Sequence, residues 1–334
     1  MNSEDQVLTS ETSMHTEGRR TNRPSSAGRR LQQDRAARRA FSVMTFVPLF
    51  LIVVIAIALI VRSWPIIQAG HSISETIFGV IWKPEAGSFG FWPFIMGTVW
   101  VTVVGVLLAV PPCLLVALYL GEYAHATTRS VAKPILDLLA AIPPVVYGVW
   151  GLLAIVPFVQ KFAAPLSKRY LGTIPMFQVR QPTGFTILAG GIVLAVMIAP
   201  LIISVVYEIL AAVPNDLRHA SLAVGATRWQ TIRSVVLPRV LPGIVAAVVL
   251  GASRALGETI AVMMVVGNVP KVPTSIFDAA YPLPALIANN YGDMMSIPLY
   301  DAALLSAALV LLLVILFFNV LSTLVLQRVL RRKW

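Results

Sequence analysis

Charge is scarce in this chain. Asp, Glu, Lys and Arg make up 12% of its 334 residues, about half their share in an ordinary soluble domain. Acidic residues are scarcer still, 15 against 26 Lys and Arg. There is a single cysteine, Cys113, which excludes an intrachain disulfide. The four histidines, His15, His71, His125 and His219, are scattered without metal-ligand spacing. The phosphate-cradling pattern Gly-x-x-x-x-Gly-Lys-Ser/Thr is missing, and the chain has no Gly-Lys dipeptide at all. Neither a nucleophile-elbow nor a Ser-His-Asp pattern appears. These absences point away from an enzyme and from an ATPase in particular.

What replaces charge is apolar sequence. Hydrophobic residues make up 57% of the chain, more than a water-soluble core accounts for. Uninterrupted runs such as 46–61 and 302–318 favour membrane helices over the alternating strands of a barrel. Six spans are expected at about 41–62, 92–121, 134–157, 184–208, 241–267 and 301–326, an all-α polytopic membrane protein. The first apolar run is too long for a signal-peptide core, and its basic flank is too extended, so it reads as a retained helix.

The formal net charge of +11 would raise nucleic acid as a partner in a soluble protein. Here the cations flank apolar segments, so membrane lipid and not nucleic acid is the expected contact. With six spans, the tail, the 122–133 and 209–240 loops and the C-terminus hold eighteen Lys and Arg, against six in 63–91, 158–183 and 268–300. That asymmetry puts both termini in the cytoplasm. Residues 1–38 are polar, basic and poor in large apolar side chains, and read as a disordered cytoplasmic tail. Its Arg35, Arg38 and Arg39 lie where anionic headgroups attract them. Residues 39–334 then form the membrane domain. Pro111-Pro112 and Pro143-Pro144 fall within expected spans, either lining a pathway or kinking helices for packing.

The stretch 213–243, VPNDLRHASLAVGATRWQTIRSVVLPRVLPG, reads as a structured loop between the fourth and fifth spans. Asn215 or Asp216 can cap a short helix, Gly225 can end it in the left-handed conformation, and Thr227 can cap a second. Leu237-Pro238 and Leu241-Pro242 are then expected to stop the second helix. Leu222, Trp229 and Ile232 give the hairpin an apolar side; Arg218, His219, Arg228 and Arg233 give it a polar one.

The spacing of Ala220, Gly225 and Val235-Val236-Leu237-Pro238 resembles the signature cytoplasmic loop of ABC importer permeases: EAA, three residues, G, nine residues, I-x-LP. His219 stands where that family commonly has Glu, and Ser221 where it has Ala. The resemblance implies a type I importer permease fold, with loop residues His219, Ala220, Ser221, Gly225, Ala226, Thr227, Arg228, Trp229, Leu237 and Pro238 docking into an ATPase subunit.

The fifth span carries Ser253-Arg254-Ala255-Leu256-Gly257-Glu258-Thr259, which places Arg254 and Glu258 one helical turn apart. Intramembrane charges need partners. On one reading Arg254 meets a passing oxyanion while Glu258 orients it, with Ser253 and Thr259 beside them. On the other the two residues form a self-neutralising structural pair. The run SRALGETIAVMMVVGN, together with DLLAAIPPVVYGVWG from Asp137 onward, resembles the phosphate-specific permeases of the ABC family, of the PstC type.

That resemblance implies a complex with a PstA-like second permease, two PstB-like ATPase subunits binding ATP and Mg, and a PstS-like external phosphate-binding protein. This chain itself is expected to bind no cofactor and to lie in the bacterial cytoplasmic membrane. The 268–300 and 158–183 loops are the candidates for touching the binding protein. Permeases for molybdate, tungstate or sulfate share the loop signature and stay open as alternatives, and an ion-coupled carrier would have no ATPase for it to dock.

Overall fold

A computed structural model of the chain describes residues 26–70, 72–292 and 299–331. The chain divides into two units, Met1–Ile55 and Ala56–Trp334. In the first, a helix that runs over Ser26–Gln68 begins inside the basic segment. Residues 29–40 consist almost entirely of Arg, Leu, Gln and Ala, strong helix formers that need no core to favour a helix. The expectation of a structureless tail over 1–38 is therefore corrected from Ser26 onward; its residues 1–25 lie outside the described residues. Phe41 to Ile55 present exposed apolar side chains, as suits a lipid-facing helix.

Six helices among the described residues are long and apolar enough to cross a bilayer: Ala37–Gln68, Trp92–Tyr123, Pro144–Tyr170, Ile187–Ala211, Arg228–Leu256 and Tyr300–Leu324. Four lie close to the expected positions. The fifth, expected at 241–267, runs earlier, over Arg228–Leu256, and the third is displaced as well. The segment expected to open it forms a separate helix, Ala126–Ala141, whose described side chains are all exposed or half-buried. The chain then turns extended at Ile142 and Pro143 before the third span starts at Pro144. Proline disfavours the helical conformation in the residue before it, so two adjacent prolines split what reads as one apolar run. The third span ends at Tyr170, which takes Lys161, Lys168 and Arg169 out of the expected 158–183 loop and onto its final turns.

Three other prolines are absorbed by widened turns. Single π-helical turns occupy Gly151–Ile155, Val159–Ala163 and Ile232–Val236. Pro157, Pro165 and Pro238 each follow such a turn two residues on. The carbonyl four residues before a proline has no N–H to accept and would meet the ring. In all three places that carbonyl lies in the wide turn, where the bonding pattern is already displaced by one residue.

The fourth span is the centre of the bundle, packed by the second and fifth. Its approach to the second is set by Gly191, where an added Cβ would lie 2.5 Å from Val104 Cγ1. Thr186 caps its start by accepting from the Ala189 N–H at 3.1 Å. Two more of its unpaired N–H groups, on Ile187 and Leu188, donate to the carbonyls of Asp278 and Ile276. The loop after the fifth span is thus folded back over the start of the fourth. Asp278 holds that loop together, its Oδ2 accepting from Thr274 N, Thr274 Oγ1 and Ser275 N.

Candidate functional site

The loop between the fourth and fifth spans is a helical hairpin. Its first helix is Asn215–Ala223, with Pro214 at the cap position and no side-chain cap. Asn215 is thus the first helical residue and not the cap; its Oδ1 accepts instead from Arg218 Nη1 at 3.2 Å. Gly225 adopts φ +86°, its N–H donates to Leu222 O at 3.0 Å, and Ala226 N donates to Ser221 O at 3.3 Å. Those paired bonds close the helix in the left-handed Schellman manner.

Thr227 opens the second helix, Arg228–Thr231, through a reciprocal cap. Its hydroxyl accepts from Gln230 N at 3.2 Å while Gln230 Oε1 accepts from Thr227 N at 2.8 Å. The hydroxyls of Ser221 and Thr231, 2.9 Å apart, tie the two helices together. His219, Ala220, Arg228 and Trp229 are exposed, Ala226 is half-buried, and Leu222 and Val224 add exposed apolar surface.

Leu237-Pro238 does not stop the second helix. The wide turn Ile232–Val236 carries it directly into Leu237–Leu256, with Pro238 in the first turn and Pro242 inside. The second hairpin helix and the fifth span are consequently one continuous rod, because the wide turn accommodates the proline that would otherwise end it.

Behind the hairpin lies a cluster that the sequence pattern did not single out. Arg218 Nη2 and Nε donate to Glu122 Oε1 and Oε2 at 2.8 and 3.2 Å. Arg218 Nη2 also donates to Leu210 O at 2.8 Å, and its Nη1 donates to Val213 O. Arg129 Nη2 donates to Gly121 O at 2.9 Å. Two arginines thus satisfy carbonyls at the C-terminal ends of the second and fourth spans, where the helix dipole also favours a cation. These residues line a cavity of about 370 Å³ that His125, His219 and Arg228 also face.

The intramembrane charges are not arranged as a helical pair. The helix Leu237–Leu256 ends at Gly257, and a short helix, Ile260–Met263, starts beyond Thr259. Arg254 and Glu258 therefore sit on either side of a break and form no ion pair within 4.0 Å. Glu258 Oε1 accepts from Ala261 N at 3.3 Å, and Thr259 Oγ1 donates to Gly257 O at 3.3 Å. Ser253 donates to Asn319 Oδ1 of the sixth span. Arg254 is exposed, with no hydrogen bond or ion pair among the described residues.

The short helix Ile260–Met263 packs on the start of the third span, where a Cβ on Gly148 would lie 2.6 Å from Met264 Sδ. The helices that follow the breaks at Pro143 and at Gly257 thus pack on each other. Tyr147 spans the first break, its hydroxyl donating to Leu139 O at 2.8 Å.

Residues 113–331 match the family described as binding-protein-dependent transport system inner membrane component. The chain is 39% identical over 251 residues to the probable ABC transporter permease protein YqgH of Bacillus subtilis, covering 75% of this chain and 76% of that protein. It is 32% identical over 311 residues to the phosphate transport system permease protein PstC of Xylella fastidiosa, covering 92% of this chain and 95% of that one. The crystal structure of a bacterial ABC transporter involved in the import of the acidic polysaccharide alginate shares the fold, with a TM-score of 0.57 at 18% identity over 90% of this chain and 99% of that one. The chain therefore belongs to the family of binding-protein-dependent transport system inner membrane components.

Proposed function

We propose that this chain is the transmembrane permease subunit of an ATP-driven importer that carries inorganic phosphate across the cytoplasmic membrane. The observation that carries the substrate is the near full-length likeness to a phosphate transport system permease. The double-capped hairpin supports the ATP-driven class, because it presents Leu222 and Val224, with Trp229 at the start of the fifth span, as exposed apolar surface on a backbone fixed at both turns. In this reading hydrolysis belongs to two PstB-like subunits, which bind ATP and Mg and receive the hairpin. A PstA-like permease completes the pathway, and a PstS-like protein delivers phosphate from outside.

The same reading places both termini and the hairpin in the cytoplasm, on the side richer in Lys and Arg. Arg254 then meets the anion in the pathway. A guanidinium offers phosphate two parallel N–H bonds, and among the described residues no carboxylate pairs with this one. Glu258 caps the neighbouring helix and does not hold the arginine, so its part is to keep the break open beside Arg254. Ser253 serves by fixing the sixth span and not by touching the anion.

The reading is tested by uptake of labelled phosphate into proteoliposomes that carry both permeases and the ATPase pair, with binding protein outside and ATP inside. Uptake that needs ATP and the binding protein, and that excess sulfate or molybdate leaves unchanged, is the expected result. Uptake by this chain alone, driven by an ion gradient, would make it a secondary carrier; preferential uptake of sulfate or molybdate would replace the substrate.

A further inference from the structure

We propose that the Arg218–Glu122 pair is the rigid joint through which the docking hairpin moves the second span together with the fourth. The proposal rests on the docking role given to the hairpin above. Neither residue touches substrate, so both act as positioning residues.

The argument starts from what the hairpin can pull on. The hairpin joins the fourth span through the short link 212–214 and continues into the fifth, so covalent continuity transmits its motion to those two spans. The second span is remote in sequence and packs on the fourth through apolar contacts, so a directional connection to the hairpin has to come from a side chain. Glu122 supplies it, in the wide turn Tyr119–Tyr123 that ends the second span. Among the described residues, only the Arg218 side chain hydrogen-bonds the helix Asn215–Ala223 to the second or the fourth span.

The chemistry of that contact suits a joint that must not slip. The guanidinium meets the carboxylate as a fork, through two bonds to two different oxygens, which fixes angle as well as distance. Its remaining capacity goes to the carbonyls of Leu210 and Val213 at the end of the fourth span. One planar group is thus bonded to the ends of two spans and, through Asn215 Oδ1, to its own helix. The side chains of Arg218 and Glu122 are only 16% and 8% exposed, so water does not readily replace one partner, and breaking the pair would leave a charge in a poorly hydrated site. Arg129 braces the same turn through Gly121 O. An apolar contact in this place would hold the elements together yet let them slide, since dispersion has no preferred direction.

The test uses the assembled complex in liposomes, in a Cys113→Ser background, with spin labels at the exposed positions Tyr123 and Asp216. The interlabel distance is read by pulsed electron resonance with and without trapped ATP. One joint moving as a body predicts the same distance in both states, and a shift in the otherwise unaltered pair would overturn the proposal by itself.

Glu122→Gln provides the second arm. It is expected to retain the ATPase subunits and to hydrolyse ATP, while phosphate carried per ATP falls by about fivefold or more, the lower end of a coupling effect. Glu122→Asp, which keeps the charge, should recover most of that ratio. An unchanged ratio in Glu122→Gln would overturn the joint, and if that variant does not assemble, the distance measurement decides. Loss of the docking reading would look different: a Gly225→Asp chain would keep its ATPase subunits, while the distance between Tyr123 and Asp216 would still report on the joint.

Discussion

Ser253 Oγ donates a 2.6 Å hydrogen bond to Asn319 Oδ1, joining the fifth and sixth spans near the level where the fifth helix ends. Each helical residue is turned by about 100° from the last, so anchoring Ser253 toward the sixth span aims Arg254 away from it. The exposure of Arg254 thus follows from its neighbour's bond.

The first prediction concerns that anchor. A polar pair between membrane helices contributes about 0.6–2 kcal/mol. Asn319→Ala should therefore lower the thermal stability of the solubilised complex by a small, measurable amount while ATPase retention stays normal. Uptake should fall less than in a variant that removes Arg254 itself, because the anchor only directs the helix face. Thermal denaturation monitored by size exclusion, alongside uptake, checks both parts.

Packing between the second and fourth spans gives the second prediction. A methyl at position 191 would come within 2.5 Å of Val104 Cγ1, closer than van der Waals contact permits. Gly191→Val adds still more bulk to a well-packed interface, and overpacking of this kind costs about 1–3 kcal/mol or more. The expected outcome is a sharp loss of folded permease in the membrane. Gly191→Val combined with Val104→Ala should recover part of the yield, since it vacates the space the new side chain needs; an unimproved yield would show that the helices meet differently.

Much of this architecture is legible in the sequence, and the misses share a cause. Hydropathy marks the spans because lipid demands long apolar helices, and Gly225 and Thr227 mark the hairpin because left-handed backbone and a helix start each call for particular side chains. The break at Gly257 is concealed because SRALGETIAVMM keeps the composition of an unbroken helix, which made Arg254 and Glu258 look like a pair. The continuity through Leu237-Pro238 is concealed for the opposite reason. Proline argues for a stop, and a wide turn, which has no sequence signature of its own, removes the clash. The Arg218–Glu122 contact is hidden because only the folded bundle brings the two together. A carboxylate directly after an apolar run, in Leu120-Gly121-Glu122, was its one visible trace.

The hairpin turns give the third prediction. An added Cβ at Gly225 meets no atom within 4 Å, so the cost of a side chain there comes from φ +86° alone. Gly225→Ala should cost about 1 kcal/mol, and Gly225→Asn less, because Asn tolerates the left-handed region better. Thr227→Ala removes the reciprocal cap of the second helix at about 1 kcal/mol. Co-purification of the ATPase subunits should rank native first, then Gly225→Asn, then Gly225→Ala. Thr227→Ala combined with Gly225→Ala should be weaker than either alone.

The last prediction isolates the charge in the pathway. Arg254 is exposed with no ion pair among the described residues, whereas Glu258 is engaged with the Ala261 N–H. If Arg254 meets phosphate, Arg254→Gln should cut uptake by at least about tenfold, the factor that 1.4 kcal/mol of lost stabilisation produces, with ATPase retention unaffected. Arg254→Lys should fall between, because an ammonium keeps the charge without the two-pronged geometry. Glu258→Gln should act differently. Its amide oxygen can still accept from Ala261, so uptake should remain well above that of Arg254→Gln. Equal losses in Arg254→Gln and Glu258→Gln would indicate that the two residues work as one pair during the transport cycle, and undiminished uptake in Arg254→Gln would move the anion's path to another face of the bundle.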